Sequence, residues 1–458
     1  MQTIADRIAQ SPWKTTLLAL SPYRRRIGRA YEVESRLLWQ PLPAVRQEQQ
    51  KRLRELLSVA RAAPYWKQVL DGLGKRPETF TLDDLRLLPF LTKDILRERE
   101  HDLRVPGARG VYENFSGGST GIPIRFYQDS HYKVHMSVST RLCNEMAGAF
   151  TGARLAKLWG APQDKRQIES RWGKAKLWLL NHQYLDTFDM GAERMTLYPR
   201  QMEEFQPDLI QAYASSIHLL ARHLRRYRIR PSYPRVAIIS AAERLTEEMR
   251  HDIEQVFPVK VFNRYGSREV SAMAAECAEH NGLHITSAGH IVETVDPVTL
   301  EPVVGRPGEI VITVLHNHAM PFLRYRIGDV GLLDDRPCAC GRTTPRLVDV
   351  LGRTSDNFLM PDGRIVHGEY FTHLFYGRPE VEQFQFIQDA VDDYVLRIVP
   401  GGGYCRELGR QLESQIRGFI GPTARLRLEI RDEIPKTASG KYRFTISRVK
   451  LDELAGAR

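Results

Sequence analysis

The fold and chemistry of this 458-residue chain are indicated first by the stretch Ser116-Gly117-Gly118-Ser119-Thr120-Gly121. Glycines let the backbone approach an anion without a Cβ clash, while hydroxyls and successive amide N–H groups can donate to its oxygens. The stretch is therefore typical of a phosphate-binding loop, called here the phosphate cradle (residues 116–121). It lacks the Gly-Lys-Ser/Thr ending of a P-loop, which argues against that class of NTPase.

A second informative segment, residues 435–441 (PKTASGK), lies near the C-terminus. Its last residue, Lys441, follows a Ser-Gly turn, where a mobile segment could deliver its charge. A phosphate cradle combined with a distant cation indicates phosphoryl or nucleotidyl chemistry, because stabilising negative charge is most of the work in such reactions. Taken alone, either segment also fits a flexible loop or a solvated lysine.

Three more motifs lie between these segments in a fixed order: YGSRE at 265–269, YRIGD at 325–329 and LGRTSD at 351–356. The ordered set resembles the adenylate-forming superfamily, which includes acyl- and aryl-CoA synthetases, adenylation domains of peptide synthetases and luciferases. Within it, the chain is most similar to the branch of phenylacetate–CoA ligases and capsular-polysaccharide-associated homologues. This likeness runs from residues 64–66 (PYW) and 88–94 (LPFLTKD) to Lys441, so it covers nearly the whole chain.

The resemblance implies an α/β fold with two domains. The large N-terminal adenylate-forming domain would span residues 1–354, with a mainly helical segment over 1–100, an α/β core and a β-rich section. A small, mobile α+β lid domain would span 355–458. Hydrophobic patterns predict strands and one C-terminal helix at the following positions: strands at 153–159, 209–213, 236–240, 259–263, 308–314, 382–388, 394–399 and 425–430, and the helix near 407–419.

The resemblance also implies the reaction. An ATP-dependent, AMP-forming ligase of this kind activates a carboxylic acid, here an aryl or medium acyl acid, as an acyl-adenylate and transfers it to coenzyme A. One alternative acceptor is a carrier-protein thiol, and another is an amine, which would make an amide. The alternative from a different class of protein is an inactive, basic nucleic-acid-binding or scaffold protein. The implied cofactors are ATP, Mg²⁺ and coenzyme A.

Residue roles are carried over from the matching motif positions. Lys441 would contact the α-phosphate and carboxylate oxygens, and Glu269 would be a hard oxygen ligand for Mg²⁺. Asp329 can accept hydrogen bonds from ribose hydroxyls, and Arg353 offers a permanent charge near ribose and phosphate. The remaining positions implied to bind nucleotide are Ser116, Gly117, Gly118, Ser119, Thr120, Gly121, Ala242, Glu243, Asn263, Tyr265, Gly266 and Ser267.

Two positions depart from the superfamily pattern. Many relatives have Asp or Lys at the hinge between the domains, where this chain has Ser355 followed by Asp356. A hinge needs tolerant backbone torsions rather than one side chain, so domain rotation is still expected. Arg268 stands where many relatives have Thr or Ser, which could alter phosphate contacts or add a charge to the acyl pocket.

Cysteines predict a second, separate site. Cys338 and Cys340 form a tight pair, and Cys277 follows the YGSRE motif. Three cysteines and one histidine would complete a closed tetrahedral zinc site of structural type. His284 is the preferred fourth ligand because it lies in a segment shared with the branch, while His280 has the commoner Cys-x-x-His spacing. The alternative is a set of reduced, buried thiols.

The formal charge of +11 could indicate a nucleic-acid partner. However, the arginine-rich segment 222–230 follows an amphipathic pattern, with Leu219, Leu220, Leu224 and Tyr227 on the expected inner face. We therefore expect no nucleic-acid partner, and the excess charge would attract ATP and acyl-CoA. Without a bilayer-length apolar run, a secretory signal or a disulfide framework, the predicted protein is cytoplasmic, contacts no membrane and is a monomer or homodimer.

Overall fold

The computed structural model describes most of the chain from residue 22 onward. The described residues are 22–116, 124–159, 168, 170–187, 192–353, 357–362, 365–367, 371, 374–375, 378, 380–435 and 443–449.

The first part of the described structure is mainly helical, as the sequence predicts for this segment. They are α1 (Pro22–Leu37), α2 (Leu42–Ala60), α3 (Pro64–Gly72), α4 (Lys93–Glu98) and α5 (Glu100–Leu103), with 3₁₀ turns at Pro77–Thr79 and Asp83–Leu87. Leu53, Leu56 and Leu57 are fully buried on α2. Trp66 of α3 donates its indole N–H to the Pro321 carbonyl at 3.0 Å, which fixes this helical layer against the chain just before the YRIGD motif.

An eleven-stranded sheet forms the centre of the described structure. Its parallel half has the order β4-β3-β5-β6-β7, and its strands are β3 (Leu155–Trp159), β4 (His182–Asp186), β5 (Leu209–Tyr213), β6 (Ala237–Ala241) and β7 (Val261–Ser267). Residues along β5 and β6 are all buried, as expected for strands covered on both faces. The covering helices are α6 (Ser130–Met146), α7 (Arg171–Leu179), α8 (Ala192–Phe205), α9 (Ala214–Arg226) and α10 (Glu247–Val256).

The other half of the sheet is antiparallel and continues from β7 in the order β8-β9-β13-β12-β11-β10. Its strands are β8 (Ser271–Glu276), β9 (Leu283–Ile285), β10 (His290–Val295), β11 (Gly308–Val314), β12 (Tyr325–Asp334) and β13 (Arg346–Arg353). A separate hairpin, β1 (Tyr112–Phe115) and β2 (Arg125–Gln128), flanks the phosphate cradle. The α/β fold with a β-rich section is confirmed.

The C-terminal residues form a second sheet with its own hydrophobic core. The strands are β14 (Asn357–Leu359), β15 (Ile365–His367), β16 (Val381–Ala390), β17 (Asp393–Pro400), β18 (Arg425–Ile430) and β19 (Thr445–Ser447), and the helix is α11 (Arg406–Ile420). The four-stranded sheet has the order β18-β17-β16-β19, while β14 and β15 pair as a hairpin. Leu412 and Ile416 of α11 are fully buried against this sheet, within a core drawn from residues 358–426.

The arginine-rich helix α9 departs in part from the expected inner face. Leu220 and Leu224 are fully buried, but Leu219 is 43% exposed and Tyr227 is 61% exposed. At 100° per residue, the buried stripe is formed by Ile217, Leu220, Ala221 and Leu224, and positions 219 and 227 lie off it. Across the described ranges, no helix combines the length and the apolar character needed to cross a membrane.

Candidate active site

The C-terminal ends of the parallel strands form the edge at which ligands bind in open α/β sheets. At this edge, the hydroxyl of Tyr265 donates to Oδ2 of Asp329 at 2.6 Å. Strand register places Asp329 directly opposite Arg353 on β13. The structure therefore brings YGSRE, YRIGD and LGR together, although they are distant in sequence. The side chain of Arg353 lies outside the described part.

Gly266 lets the backbones of β7 and β8 approach closely at a register shift beside Tyr265. A Cβ atom at Gly266 would lie 2.0 Å from the carbonyl oxygen of Ser271, so no other residue fits without moving the backbone. Beside it, the Oγ atom of Ser267 is buried and has no hydrogen-bond partner among the described residues. A buried hydroxyl without a partner costs about 1–3 kcal/mol, a cost that a water molecule or a polar ligand at this position would remove.

The turn after β6 supplies a second pair of predicted positions. Ala242 has φ of +69°, a left-handed conformation that is uncommon outside glycine and concentrates at functional sites. Glu243 accepts the Ser215 N–H through Oε2 at 2.8 Å, at the N-terminus of α9. Its other oxygen, Oε1, is buried and finds no hydrogen-bond partner in the described ranges. Arg244 donates to the Leu351 carbonyl at 3.1 Å, which holds this turn against the LGR segment.

Glu269, the expected Mg²⁺ ligand, is nearly buried and is supported by residues that the sequence did not identify. Its backbone carbonyl accepts from the Tyr132 hydroxyl at 3.3 Å and from the side chain of Gln128 at 3.4 Å. Gln128 also donates to the Arg268 carbonyl at 3.0 Å and accepts from Asn114 at 3.1 Å. Asn114 and Gln128 belong to the β1–β2 hairpin, so hydrogen bonds join this hairpin to the YGSRE motif.

The phosphate cradle itself is described only at its first residue. Ser116 is buried; its backbone N–H donates to the Ile124 carbonyl at 2.9 Å, and its Oγ accepts from the Ile124 N–H at 2.8 Å. The hairpin therefore fixes both ends of the segment that contains the cradle. The predicted positions Gly117, Gly118, Ser119, Thr120, Gly121 and Lys441 lie outside the described residues, as do the hinge residues Ser355 and Asp356.

Two further residues stand near the same edge of the sheet. Asn263 lies on β7 opposite Ser240, and its backbone N–H donates to Glu276 at 2.7 Å. Trp159, which the sequence placed in a strand but not in the site, ends β3 with its ring 4.3 Å from that of Tyr213. Its position at a strand end was the signal that could have identified it.

The cysteine–histidine group (Cys277, His284, Cys338 and Cys340) lies in the antiparallel half of the sheet, where β8, β9 and the β12–β13 connection meet. One potential ligand atom from each residue lies within 4.8 Å of all the others. The sulfurs of Cys277 and Cys338 are 3.9 Å apart, and Cys340 Sγ is 3.3 Å from His284 Nε2. Tetrahedral zinc with bonds of about 2.3 Å to sulfur separates two sulfurs by about 3.8 Å. The donor set therefore fits zinc in type and spacing.

The pKa values in this group favour a neutral imidazole and differ between the thiols, one of which is less acidic than usual and another more acidic. Burial, with the nearby charges of Arg342 and Arg346, lowers the pKa of His284 to about 4, which leaves its ring neutral and able to ligate. Burial raises the pKa of Cys277 to about 12 in the absence of a cation. Burial opposes ionisation of Cys340 as well, but hydrogen bonds from Arg342 outweigh it and lower that pKa.

His280 is turned away from this group. Its Nδ1 lies 3.2 Å from the Glu276 carboxylate, and its ring packs on Phe262 with centroids 4.7 Å apart. Glu276 is also paired with Arg250 at 2.7 Å, so a polar contact network already holds His280. Of the two candidate histidines, the structure brings His284 to the three cysteines.

The fold is found in solved structures of adenylate-forming CoA ligases. A crystal structure of 2-hydroxyisobutyryl-CoA ligase, in the postadenylation state with 2-HIB-AMP, matches with a TM-score of 0.73 and 19% identity over 93% of this chain and 94% of that chain. The class of fold is therefore that of the adenylate-forming ligases.

Sequence relatives narrow the class to one branch. Protein CapK of Staphylococcus aureus is 24% identical over 400 residues, which cover 86% of each chain. Phenylacetate-coenzyme A ligase of Thermus thermophilus is 28% identical over 436 residues, covering 88% of this chain and 96% of that one. Residues 358–448 match the family model of the CapK C-terminal domain. The homologues of this chain are thus CapK and the phenylacetate–CoA ligases, which confirms the resemblance drawn from the motifs.

Proposed function

We propose that the protein is an AMP-forming ligase that activates a carboxylic acid with ATP and transfers the acyl group to coenzyme A. In the first step a carboxylate oxygen forms a bond to the α-phosphorus of ATP while the bond from this phosphorus to pyrophosphate breaks, which gives the acyl-adenylate and free pyrophosphate. In the second step the thiol of coenzyme A attacks the acyl carbon and AMP leaves. The observation that carries this proposal is the meeting of Tyr265, Asp329 and the backbone of Arg353 at the ligand-binding edge of a sheet shared with CoA ligases.

The residues present suit these tasks. Asp329 accepts hydrogen bonds from the ribose hydroxyls, Tyr265 orients its carboxylate and lies beside the adenine, and Arg353 contributes a positive charge. The orphaned atoms Ser267 Oγ and Glu243 Oε1 meet polar groups of the ligand. The following side chains and backbone groups bind the phosphates: Ser116, Gly117, Gly118, Ser119, Thr120 and Gly121.

Mg²⁺, when bound, neutralises phosphate charge and favours departure of pyrophosphate. Glu269 is a hard oxygen donor suited to this ion. Gln128 and Tyr132 fix the backbone of Glu269 and so position its carboxylate. Lys441 stabilises the charge that develops on the α-phosphate.

Pyrophosphate exchange that depends on added carboxylate, measured over a panel of aryl and medium-chain acids, tests the first step. Accepted acids are then offered coenzyme A, a carrier-protein thiol and amines as separate acceptors. Thioester formation with coenzyme A supports the proposal, whereas transfer only to a carrier protein or an amine replaces the second step. Absence of exchange with every acid, in protein that binds ATP, would favour a scaffold role.

A structural zinc ion belongs to the same proposal, held by Cys277, His284, Cys338 and Cys340. The four protein ligands close the coordination shell, so the ion ties the end of β8 to β9 and the β12–β13 connection without taking part in the reaction. His280 remains bound to Glu276.

The domain division, the cellular compartment and the oligomeric state are also proposals. A boundary near residues 354–355 is supported by the separate C-terminal core over residues 358–426. Five free cysteines fit a reducing, cytoplasmic environment. A monomer or homodimer is expected, and light scattering tests that expectation.

A further inference from the structure

A second group of potential metal ligands lies far from the nucleotide site in sequence and is not part of the proposed reaction. It is called here the histidine group: His131 and His135 on α6 and His316 in the connection after β11. One ring nitrogen from each residue lies within 4.8 Å of the other two. Ligands of a tetrahedral zinc ion at about 2.0–2.1 Å are about 3.4 Å apart, so the side chains need to close by less than about 1.5 Å.

Backbone and carboxylate contacts fix how two of these rings present their nitrogens. His131 donates through Nδ1 to the His316 carbonyl at 3.0 Å, and His135 contacts the Glu34 carboxylate through Nδ1 at 2.5 Å. When Nδ1 carries the proton, Nε2 keeps its lone pair. A hydrogen bond from the other ring nitrogen to a carbonyl or carboxylate is the usual support for a metal-bound histidine.

Burial favours the neutral form of His131 and His316, which is the form that ligates. It lowers the pKa of His131, and it is the largest cause that lowers the pKa of His316 well below its ordinary value. The rings of His135 and His316 stack with centroids 3.5 Å apart and planes 9° apart. Parallel rings do not direct their in-plane lone pairs at one point, so one of the two must rotate about its broad χ2 torsion to bring both nitrogens onto an ion.

Glu34 supplies an independent indication of a missing cation. Its side chain is completely buried, and Oε2 lacks a hydrogen-bond partner within the described residues. The other oxygen, Oε1, contacts Arg52 at 3.3 Å and His316 at 3.6 Å. Arg52 is also paired with Glu48 at 2.6 Å, so two carboxylates face one guanidinium. A bound cation would therefore meet a buried carboxylate oxygen that no donor among the described residues contacts.

We infer that His131, His135 and His316 bind one divalent transition-metal ion of the zinc type, with the unpartnered Oε2 of Glu34 moving in as the fourth donor. Three imidazoles and a carboxylate are donors that such ions accept, whereas Mg²⁺ and Ca²⁺ prefer oxygen ligands throughout. The bound ion would connect α1, α6 and the connection after β11, elements that come from three distant parts of the chain.

Arg52 occupies part of this position in the metal-free form. Its Nη1 donates to His316 Nε2 at 2.7 Å and to the Ala288 carbonyl at 2.7 Å. A guanidinium can only donate, so this contact takes up the lone pair of His316 Nε2. Metal binding through that atom must move Arg52 aside while it keeps its pairing with Glu48.

The test is titration of metal-stripped, full-length protein with Co²⁺, followed by absorption and by the number of bound ions per chain. Thiolate ligands give an intense charge-transfer absorption with Co²⁺, and imidazole or carboxylate ligands do not, so the cysteine–histidine group and the histidine group are distinguished in one experiment. His135→Gln should remove one bound ion and leave the thiolate absorption unchanged. His251→Gln, an exposed histidine elsewhere on the surface, is the matched control and should change neither quantity.

Several outcomes separate this proposal from the structural zinc proposal. In Cys338→Ser, loss of the thiolate absorption with one ion still bound supports the histidine group, and loss of all bound ions contradicts it. If that variant fails to fold, the comparison of His135→Gln with the wild-type chain still decides, because an unchanged ion count would overturn the proposal.

Arg52→Met gives a result that a purely structural role of the group does not produce. Removal of a fixed positive charge next to the ion should tighten Co²⁺ binding at the site without thiolate absorption by about tenfold or more. Weaker or unchanged binding at that site, in folded protein, would contradict the assignment of Glu34 and His316 as ligands.

Discussion

Two places in the large sheet differ in how their polar atoms are arranged. At the end of the parallel strands, Ser267 and Glu243 each keep a buried atom with no partner in the described structure, and Ala242 has an unusual backbone conformation. In the cysteine–histidine group, His284 Nδ1 likewise lacks a partner among the described residues, but four potential ligand atoms converge on one small space. Unpartnered polar atoms therefore do not by themselves distinguish the two places, whereas the convergence of four donors does. A self-contained donor set indicates a part that stabilises the fold.

This difference predicts that changes at the ends of the parallel strands lower activity more than stability. Changes in the cysteine–histidine group should lower stability more than activity. The largest expected effect is that of Lys441→Ala. Removal of a charge that acts mainly in the transition state should slow acyl-adenylate formation by on the order of 10² or more, with ATP affinity changed little. Pyrophosphate exchange and nucleotide binding, measured separately, check this. Exchange near the wild-type rate with every accepted acid would show that Lys441 is not the reactive lysine.

Cys338→Ser tests the cysteine–histidine group. Loss of one zinc ligand should reduce bound zinc from about one per chain and lower the free energy of unfolding by about 2 kcal/mol or more. Elemental analysis and thermal melting measure both quantities, and pyrophosphate exchange below the melting range should be nearly normal. His280→Ala is the matched control because it should keep zinc, whereas His284→Ala should lose it. If the purified protein contains no metal and is equally stable, the cysteines are reduced, buried thiols and not zinc ligands.

Ser355→Pro sharpens the comparison by separating the two steps of the proposed reaction. Proline fixes φ near −65° and restricts the preceding residue, so it should impede rotation of the C-terminal domain. Thioester formation from preformed acyl-adenylate should fall by about tenfold more than pyrophosphate exchange does. Arg353→Ala is the control, since it should affect both steps. Equal losses for Ser355→Pro in folded protein would argue against alternation at this position.

The smallest expected effect is that of Tyr265→Phe. It removes one hydrogen bond to Asp329 and keeps the ring, so ATP binding should weaken by about threefold to tenfold through less precise placement of the carboxylate. The melting temperature should be almost unchanged, and the KM for ATP measures the effect. A large fall in stability with normal ATP binding would place this contact among the structural interactions instead.

Local pattern predicted much of the fold because its strands are either apolar throughout or alternate apolar and polar residues. The strands at 209–213, 308–314 and 425–430 have the predicted bounds. Order along the chain also indicated which motifs meet. In contrast, the support of Glu269 by Gln128 and Tyr132 depends on how a distant hairpin and helix pack, and no spacing in the sequence expresses that. Leu219 and Tyr227 are exposed because, at 100° per residue, they lie off the buried stripe of α9.

The histidine group shows the same limit of sequence reasoning. The i, i+4 spacing of His131 and His135 is visible in the sequence and is a common arrangement on one helix face. His316 and Glu34 become neighbours only through the packing of α1 and the β11 connection against α6. The proximity of these four residues therefore follows from long-range packing and is not visible in the local sequence pattern.

Helix α6 has one further consequence, because the hydroxyl of Tyr132 reaches the backbone of Glu269 while His131 and His135 lie beside it on the same helix. An ion that draws these histidines together acts on the element that also holds the expected Mg²⁺ ligand. Binding equilibria linked through a shared element are reciprocal: any change that the ion makes in nucleotide affinity must be matched by an equal change that nucleotide makes in the affinity for the ion. The affinity for nucleotide would then depend on the concentration of the ion, and the affinity for the ion on that of the nucleotide.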